Sequence, residues 1–327
     1  MPFTLSHAAA VLPAVRGDGS GRGRLVPSVL VAGSFAPDMP YFAASVVPGG
    51  MEFGAVTHSF AGVVSVDVLI AWALVTAWLL VREPLVALLP PARQGRPAAL
   101  LRCGAPRTRL RAVTVRAVSP RAVSVRAVSV LRWYGCAVLG ALTHVVWDAF
   151  THHDRWGSRL IPALGRDLAG MPVYTWTQYG SSALGAMVIA VFSVRALRLT
   201  PAGQPAGVPA LSVRDRWWAG AVIGGCALAG AVLRAARWWD HHAAAAAARP
   251  WDLVPTLCFG AGAGLLLGVL LYAAGVRLWR PARIPGGPGD HPERPGRPGR
   301  PEGPRSPARA ARPGGTVGAG RDRSGAR

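Results

Sequence analysis

Polar positions nearly vanish from five stretches of this chain, at 60–81, 133–150, 173–194, 217–233 and 253–276. Each is close to the length a hydrocarbon core demands, about 20 residues within about 17–25. The pattern predicts five membrane-spanning helices. A sixth apolar run, 25–36, is too short to span and contains Pro27 and Gly33, so it is expected as a re-entrant or bundle-buried helix. The fold class that follows is all-α, a polytopic transmembrane bundle of about five spanning helices plus a short buried N-terminal helix. Along the chain this divides into N-terminal helices with the first span (1–82), an insertion (83–132), the second and third spans (133–200), the fourth and fifth spans (201–280) and a tail (281–327).

Composition agrees with the pattern, since 51% of the 327 residues are hydrophobic. The formal net charge is +21, and all 36 basic residues are arginine. Of these, 27 fall in the connections 82–132, 195–216 and 277–327, and 9 fall in 1–58, 152–172 and 234–249. Cytoplasmic flanks of membrane helices are enriched in basic residues. The Arg-rich loop and the C-terminal tail are therefore expected in the cytoplasm of a multi-pass cell-membrane protein, with the other connections outside. From Arg111 a five-residue unit repeats, RAVTV RAVSP RAVSV RAVSV, matching neither helix nor strand periodicity and interrupted by Pro120. It reads as a disordered insertion or one lying on anionic lipid. The tail beyond 281 is rich in Pro, Gly and Arg and is expected to be disordered. It lacks the interleaved aromatics that stack bases, so no specific nucleic-acid partner is expected.

Cys103, Cys136, Cys226 and Cys258 are scattered singly and read as small buried apolar residues rather than metal ligands or disulfides. In MPFTLSHAAAVLPAVRGDG no basic residue precedes the short apolar stretch, which argues against a cleaved secretory signal. His7 is thus expected to remain. Trp217, Trp218, Trp238 and Trp239 flank the fourth span as an interfacial aromatic belt would. Asp67, inside the first predicted span, needs an Arg partner or a function.

The strongest polar feature is THVVWDAFTHHD at 143–154, in the outer part of the second span. His144, Asp148 and His152 are four residues apart and share one helix face, with Cβ atoms about 5–6 Å apart. That spacing lets imidazole and carboxylate meet one cation at about 2.0–2.2 Å. His7, Asp38 in GSFAPDMPYF and His58 in THSFAG fall at the same predicted level of the membrane. Convergence of His7, Asp38, His58, His144, Asp148 and His152 or His153 on one divalent cation would account for all of them together. Read singly, each would be a helix cap or a satisfied polar group.

MPFTLSHAAAVLP, GSFAPDMPYF, THSFAG, GALTHVVWDAFTHHD and QYGSS resemble a family of bacterial integral-membrane proteins defined only as a domain of unknown function, over about 1–82 and 133–200. More distantly, the order of His and Asp residues is similar to membrane-bound metal-dependent hydrolases and to the zinc-dependent phospholipase C and P1 nuclease class. That resemblance implies zinc as cofactor and His7, Asp38, His58, His144 and Asp148 at ligand positions, with Asp38 as ligand or general base. His152 or His153 approximates the next ligand. It implies phosphoester hydrolysis, and the membrane location points to a lipid or other amphiphilic phosphoester as substrate. The chain departs from that class in lacking a later H-x-x-x-E or H-x-x-x-D helix, since 174–178 and 178–182 carry no such pair. The alternative is a non-catalytic membrane scaffold in which the His/Asp cluster is structural.

Overall fold

The computed structural model describes residues 3–103, 120–153, 155–203, 207–242 and 253–279, with the side chains of 120–127 and 241–242 left out. The first half of the Arg-Ala-Val repeat and the tail lie outside the described residues. Twelve helices are described in chain order: α1 (Ala8–Val11), α2 (Pro27–Phe35), α3 (Met39–Ala43), α4 (Gly50–Thr57), α5 (Phe60–Val64), α6 (Val66–Ala87), α7 (Gly95–Cys103), α8 (Pro120–Thr151), α9 (Trp156–Leu160), α10 (Val173–Leu199), α11 (Val213–His242) and α12 (Leu253–Trp279). Five are long and apolar enough to cross a membrane: α6, the Val128–Thr151 part of α8, α10, the Val213–Asp240 part of α11, and α12. Between α9 and α10 a two-residue hairpin pairs Asp167–Leu168 with Met171–Pro172, turned by Ala169 and Gly170 at positive φ.

The first apolar run differs from its sequence reading. It is broken at Ser65, whose backbone leaves the helical region, into α5 and the spanning α6. Ser59 starts α5 by accepting the Gly62 amide at 3.0 Å. Asp67 consequently sits in the first turn of the span. It is fully buried, and neither carboxylate oxygen has a hydrogen-bond partner. The repeat also departs from expectation, since its second half is helical from Pro120 onward. Proline is tolerated in a helix's first turn, where its missing N–H would have no partner anyway.

Pro84 inside α6 cannot donate to the Leu80 carbonyl four residues back. Arg277 on α12 supplies the donors instead, with Nε at 2.9 Å and Nη2 at 2.6 Å. The Tyr272 hydroxyl, one turn earlier on α12, donates to the Pro84 carbonyl at 2.7 Å. Small residues let helices approach elsewhere. A Cβ on Gly264 would stand 2.0 Å from the Cys226 carbonyl oxygen, and one on Gly260 2.5 Å from that of Gly230, so α11 and α12 pack backbone to backbone.

The short helix α2 is buried in the bundle as expected, with Val29 and Leu30 at zero exposure. It lies on α8, where Cys136 and Ala137 join Val29, Leu30, Val68, Ala71 and Val75 in one apolar core. A Cβ on Gly33 would stand 2.4 Å from the Ala137 carbonyl oxygen, and one on Gly140 2.2 Å from that of Leu30. This close crossing brings the chain after α2, with Asp38, to the level of His144 on α8. The cysteines are unpaired; Cys136 is buried as expected, whereas Cys103 is exposed at the end of α7. Trp217, Trp218 and Trp239 are well exposed near the ends of α11.

Candidate metal centre

Four separate segments deliver the cluster. The turn Thr4–His7 carries His7, the turn Ala36–Asp38 after α2 carries Asp38, His58 follows α4, and α8 presents His144 and Asp148 one turn apart. Asp38, His58, His144 and Asp148 are all buried, and each offers one ligand atom within 4.8 Å of the others. His58 Nε2 lies 3.6 Å from Asp38 Oδ1 and 3.5 Å from Asp148 Oδ2. His144 Nε2 lies 3.4 Å and 3.5 Å from the same two oxygens. A tetrahedron built on ligand bonds of about 2.0–2.1 Å has edges of about 3.3–3.4 Å. The four nitrogen–oxygen separations are therefore close to such edges.

The orientation of the rings is held from behind. His144 Nδ1 donates to the Ser34 carbonyl at 2.7 Å, and His58 Nδ1 donates to the Gly54 carbonyl at 2.8 Å. A carbonyl only accepts, so in each neutral ring the proton sits on Nδ1 and the lone pair on Nε2 points into the cluster. Neither Nε2 has a hydrogen-bond partner, and nor do Asp38 Oδ1 and Asp148 Oδ1. Buried polar atoms are ordinarily satisfied. Three of these donor atoms, the two Nε2 and Asp38 Oδ1, are bare, while on Asp148 the unpartnered oxygen is Oδ1, which faces His7, and Oδ2 faces the two imidazoles. Such a set fits a cation, which needs uncommitted lone pairs. On Asp38, the second oxygen accepts from the Thr4 hydroxyl, which fixes the carboxylate's direction.

His7 belongs to the same cluster but stands to one side. Its ring stacks on His144 with centroids 3.8 Å apart, and its Nε2 lies 3.4 Å from Asp148 Oδ1. Both ring nitrogens lack hydrogen bonds. Burial, reinforced by the neighbouring His144, pushes its pKa down to about 3, so the ring is neutral near pH 7. Burial also opposes a charge on Asp38 and His58, but their partners prevail. His144 holds the Asp38 carboxyl well below its usual range, and Asp148 and Asp38 raise His58. Two buried carboxylates thus demand a positive charge, met by a proton on an imidazole or by a metal ion.

His152 lies at the edge of the cluster. Its Nδ1 is 3.1 Å from the Thr151 hydroxyl and 3.7 Å from Asp148 Oδ2, and its Nε2 is 3.1 Å from the Gln178 amide nitrogen on α10. With Gln178 donating to Nε2, the ring's lone pair is engaged away from the centre. His153, one position further round, is exposed and packs against Tyr174, with ring centroids 5.8 Å apart. It is not brought to the four donors. Beside the cluster, Arg155 lies near Tyr41, and the Tyr41 ring lies 5.5 Å from that of His58. Sequence reasoning missed Thr4 and the two carbonyl acceptors. Thr4 carried a weak signal, standing one helical turn before His7.

No curated protein and no solved structure matches the chain. A family model described as Domain of unknown function (DUF4184) matches residues 1–274, a span that includes the Arg-Ala-Val repeat and the region after 200, both of which the motif resemblance left outside. With most of its length covered, the N-terminal turn, the bundle and the buried His/Asp cluster alike, the chain belongs to the DUF4184 family.

Proposed function

We propose that this protein is a membrane-embedded metalloprotein that holds one divalent ion, zinc, through Asp38, His58, His144 and Asp148, and hydrolyses an amphiphilic phosphoester. The observation that carries the metal reading is the pair of Nε2 lone pairs, fixed by backbone carbonyls, facing two carboxylate oxygens at 3.4–3.6 Å. A divalent ion held there would supply electrophilic activation of water and of a phosphoryl oxygen. His7, neutral and with both ring nitrogens free of hydrogen bonds beside Asp148, is placed to accept a hydrogen bond from the attacking water and orient it. Asp38, with one oxygen engaged by Thr4 and the other facing the two imidazoles, serves as ligand. Arg155, near His152 and Tyr41, offers a cation for the phosphoryl charge. A lipid substrate suits an active centre built into spanning helices, and the arginine distribution argues for an outward-facing site.

A second reading has its own support. All four donors are almost wholly buried, and closed four-ligand sites are the usual form of structural metal. In that case the ion ties together the Ala36–Asp38 turn after α2, the α4–α5 junction and α8 without turnover. Detergent-purified, zinc-loaded protein assayed with a chromogenic phosphodiester and with short-chain phospholipid separates the two. Hydrolysis is expected in the native protein and should fall at least about 100-fold in His7→Ala with metal content retained. No turnover in metal-replete native protein would overturn the hydrolase and leave the structural ion.

A further inference from the structure

The far end of α10 carries a second polar feature that the metal centre does not use. A cleft of about 620 Å³ opens between the last turns of α10, the following Ala202–Gly203 backbone and the segment 91–97 leading into α7. Three guanidinium groups line it, Arg93, Arg96 and Arg198, and no carboxylate does. All three arginines are exposed, and among the described residues no Asp or Glu lies within ion-pair distance of them. Three like charges around one hollow repel each other unless an anion joins them.

The wall of the cleft says what kind of anion fits. Val194 and Leu197 contribute its apolar side. Val194 also ends a stripe of exposed apolar side chains along α10, through Leu184, Met187, Val188 and Val191, each 42–58% exposed. The three- and four-residue spacing keeps them on one helix face. In a membrane-spanning helix this face is lipid-facing, and it runs straight into the arginine-lined hollow. An inorganic anion would need only the charges. A molecule with acyl chains and an anionic head would use both the stripe and the guanidinium groups.

We propose that this cleft binds an anionic phospholipid, its phosphate held by Arg93, Arg96 and Arg198 and its acyl chains lying along α10. The inference is independent of the metal centre and of any hydrolytic activity. The test is lipid retention by the full-length protein, delipidated in detergent and re-equilibrated with phosphatidylglycerol or phosphatidylcholine, read by native mass spectrometry. Each basic group near an anionic lipid surface strengthens the lipid's retention. Phosphatidylglycerol should therefore be retained over phosphatidylcholine, and the triple variant Arg93→Gln, Arg96→Gln, Arg198→Gln should weaken its retention by at least about tenfold. Arg195→Gln, on α10 but outside the cleft lining, should leave it unchanged. Equal retention of the two lipids, or undiminished phosphatidylglycerol binding by a triple variant with native circular dichroism and melting temperature, would overturn the proposal. Displacement of the lipid by millimolar inorganic phosphate would also overturn it, by assigning the cleft to a free anion.

Discussion

Gly140 is the position where packing and chemistry meet most closely. It lies on α8 one turn before His144, against α2. A Cβ there would stand 2.2 Å from the Leu30 carbonyl oxygen, 2.8 Å from the Ser34 nitrogen and 3.0 Å from the Gly33 carbonyl carbon. All three are backbone atoms, so no side-chain rotation relieves the overlap. Ordinary contact begins near 3.4 Å, and α2 must therefore move away from α8 by roughly 1 Å. Overpacking of this kind costs about 1–3 kcal/mol. The movement also carries the Ser34 carbonyl away from His144 Nδ1, now 2.7 Å distant, and displaces Asp38 just beyond α2. Gly140→Ala should lose thermal stability in detergent and, with it, metal affinity measured by chelator competition, by about 10–100-fold. Gly135→Ala is the internal control: it lies on the same helix with nothing within 4 Å of its Cβ. Replacing an open helical glycine by alanine is neutral or gains about 0.5–1 kcal/mol. Native stability and full metal affinity in Gly140→Ala, or equal losses in Gly135→Ala, would refute the claim that the α2–α8 contact positions the cluster.

Other consequences can be measured independently. Thr4→Val keeps the side chain's shape but removes the hydroxyl bound to Asp38, and should weaken metal affinity by about 10–100-fold in the same chelator competition while leaving secondary structure by circular dichroism intact. The raised pKa of His58 means that, without metal, the ring keeps its proton to a pH above 6.5; metal must displace that proton, so affinity should rise with pH across this region, and calorimetry in buffers of different ionisation enthalpy should show proton release on binding. For the apo-protein, the depressed pKa of His7 has the opposite sense: the unfolded chain takes up a proton below pH 6.5 that the folded chain refuses until about pH 3, so the contribution of this group to stability is lost as the pH falls through that window. Gly264→Leu should separate α11 from α12 and lower the melting temperature without changing metal content in protein that remains folded, since the cluster lies on other helices.

Hydrophobic run length found the five spans and the short α2, because burial in a bilayer leaves a composition signature that needs no tertiary knowledge. It did not find the break at Ser65, where one residue's backbone angles split an apolar run whose side chains look continuous. The meeting of His7, Asp38 and His58 with α8 followed from the shared level that the run order predicts for them. The sequence left His152 or His153 open as a further ligand; the four-residue spacing from Asp148 brings His152 to the edge of the cluster, whereas His153 is turned about 100° away on a helix. The partners behind the ligands were invisible, because the Ser34 and Gly54 groups that orient the imidazoles are backbone carbonyls, which every residue possesses. The glycine contacts were half legible. Gly260, Gly264 and Gly268 repeat at four, but which residues of α11 they face is set by the register of two helices. The helical half of the repeat escaped because a five-residue period matches no helix face, yet its Pro120 sits where a helix start accepts it.

Elemental analysis of metal in detergent-purified protein, after loading and removal of loose ions, bears most directly on the metal centre. About one divalent ion per chain is expected in the native protein, and none in His144→Ala or Asp148→Asn variants whose circular dichroism shows the helices intact. A native protein that retains no divalent ion after loading, or variants that retain as much as the native chain, would contradict the account.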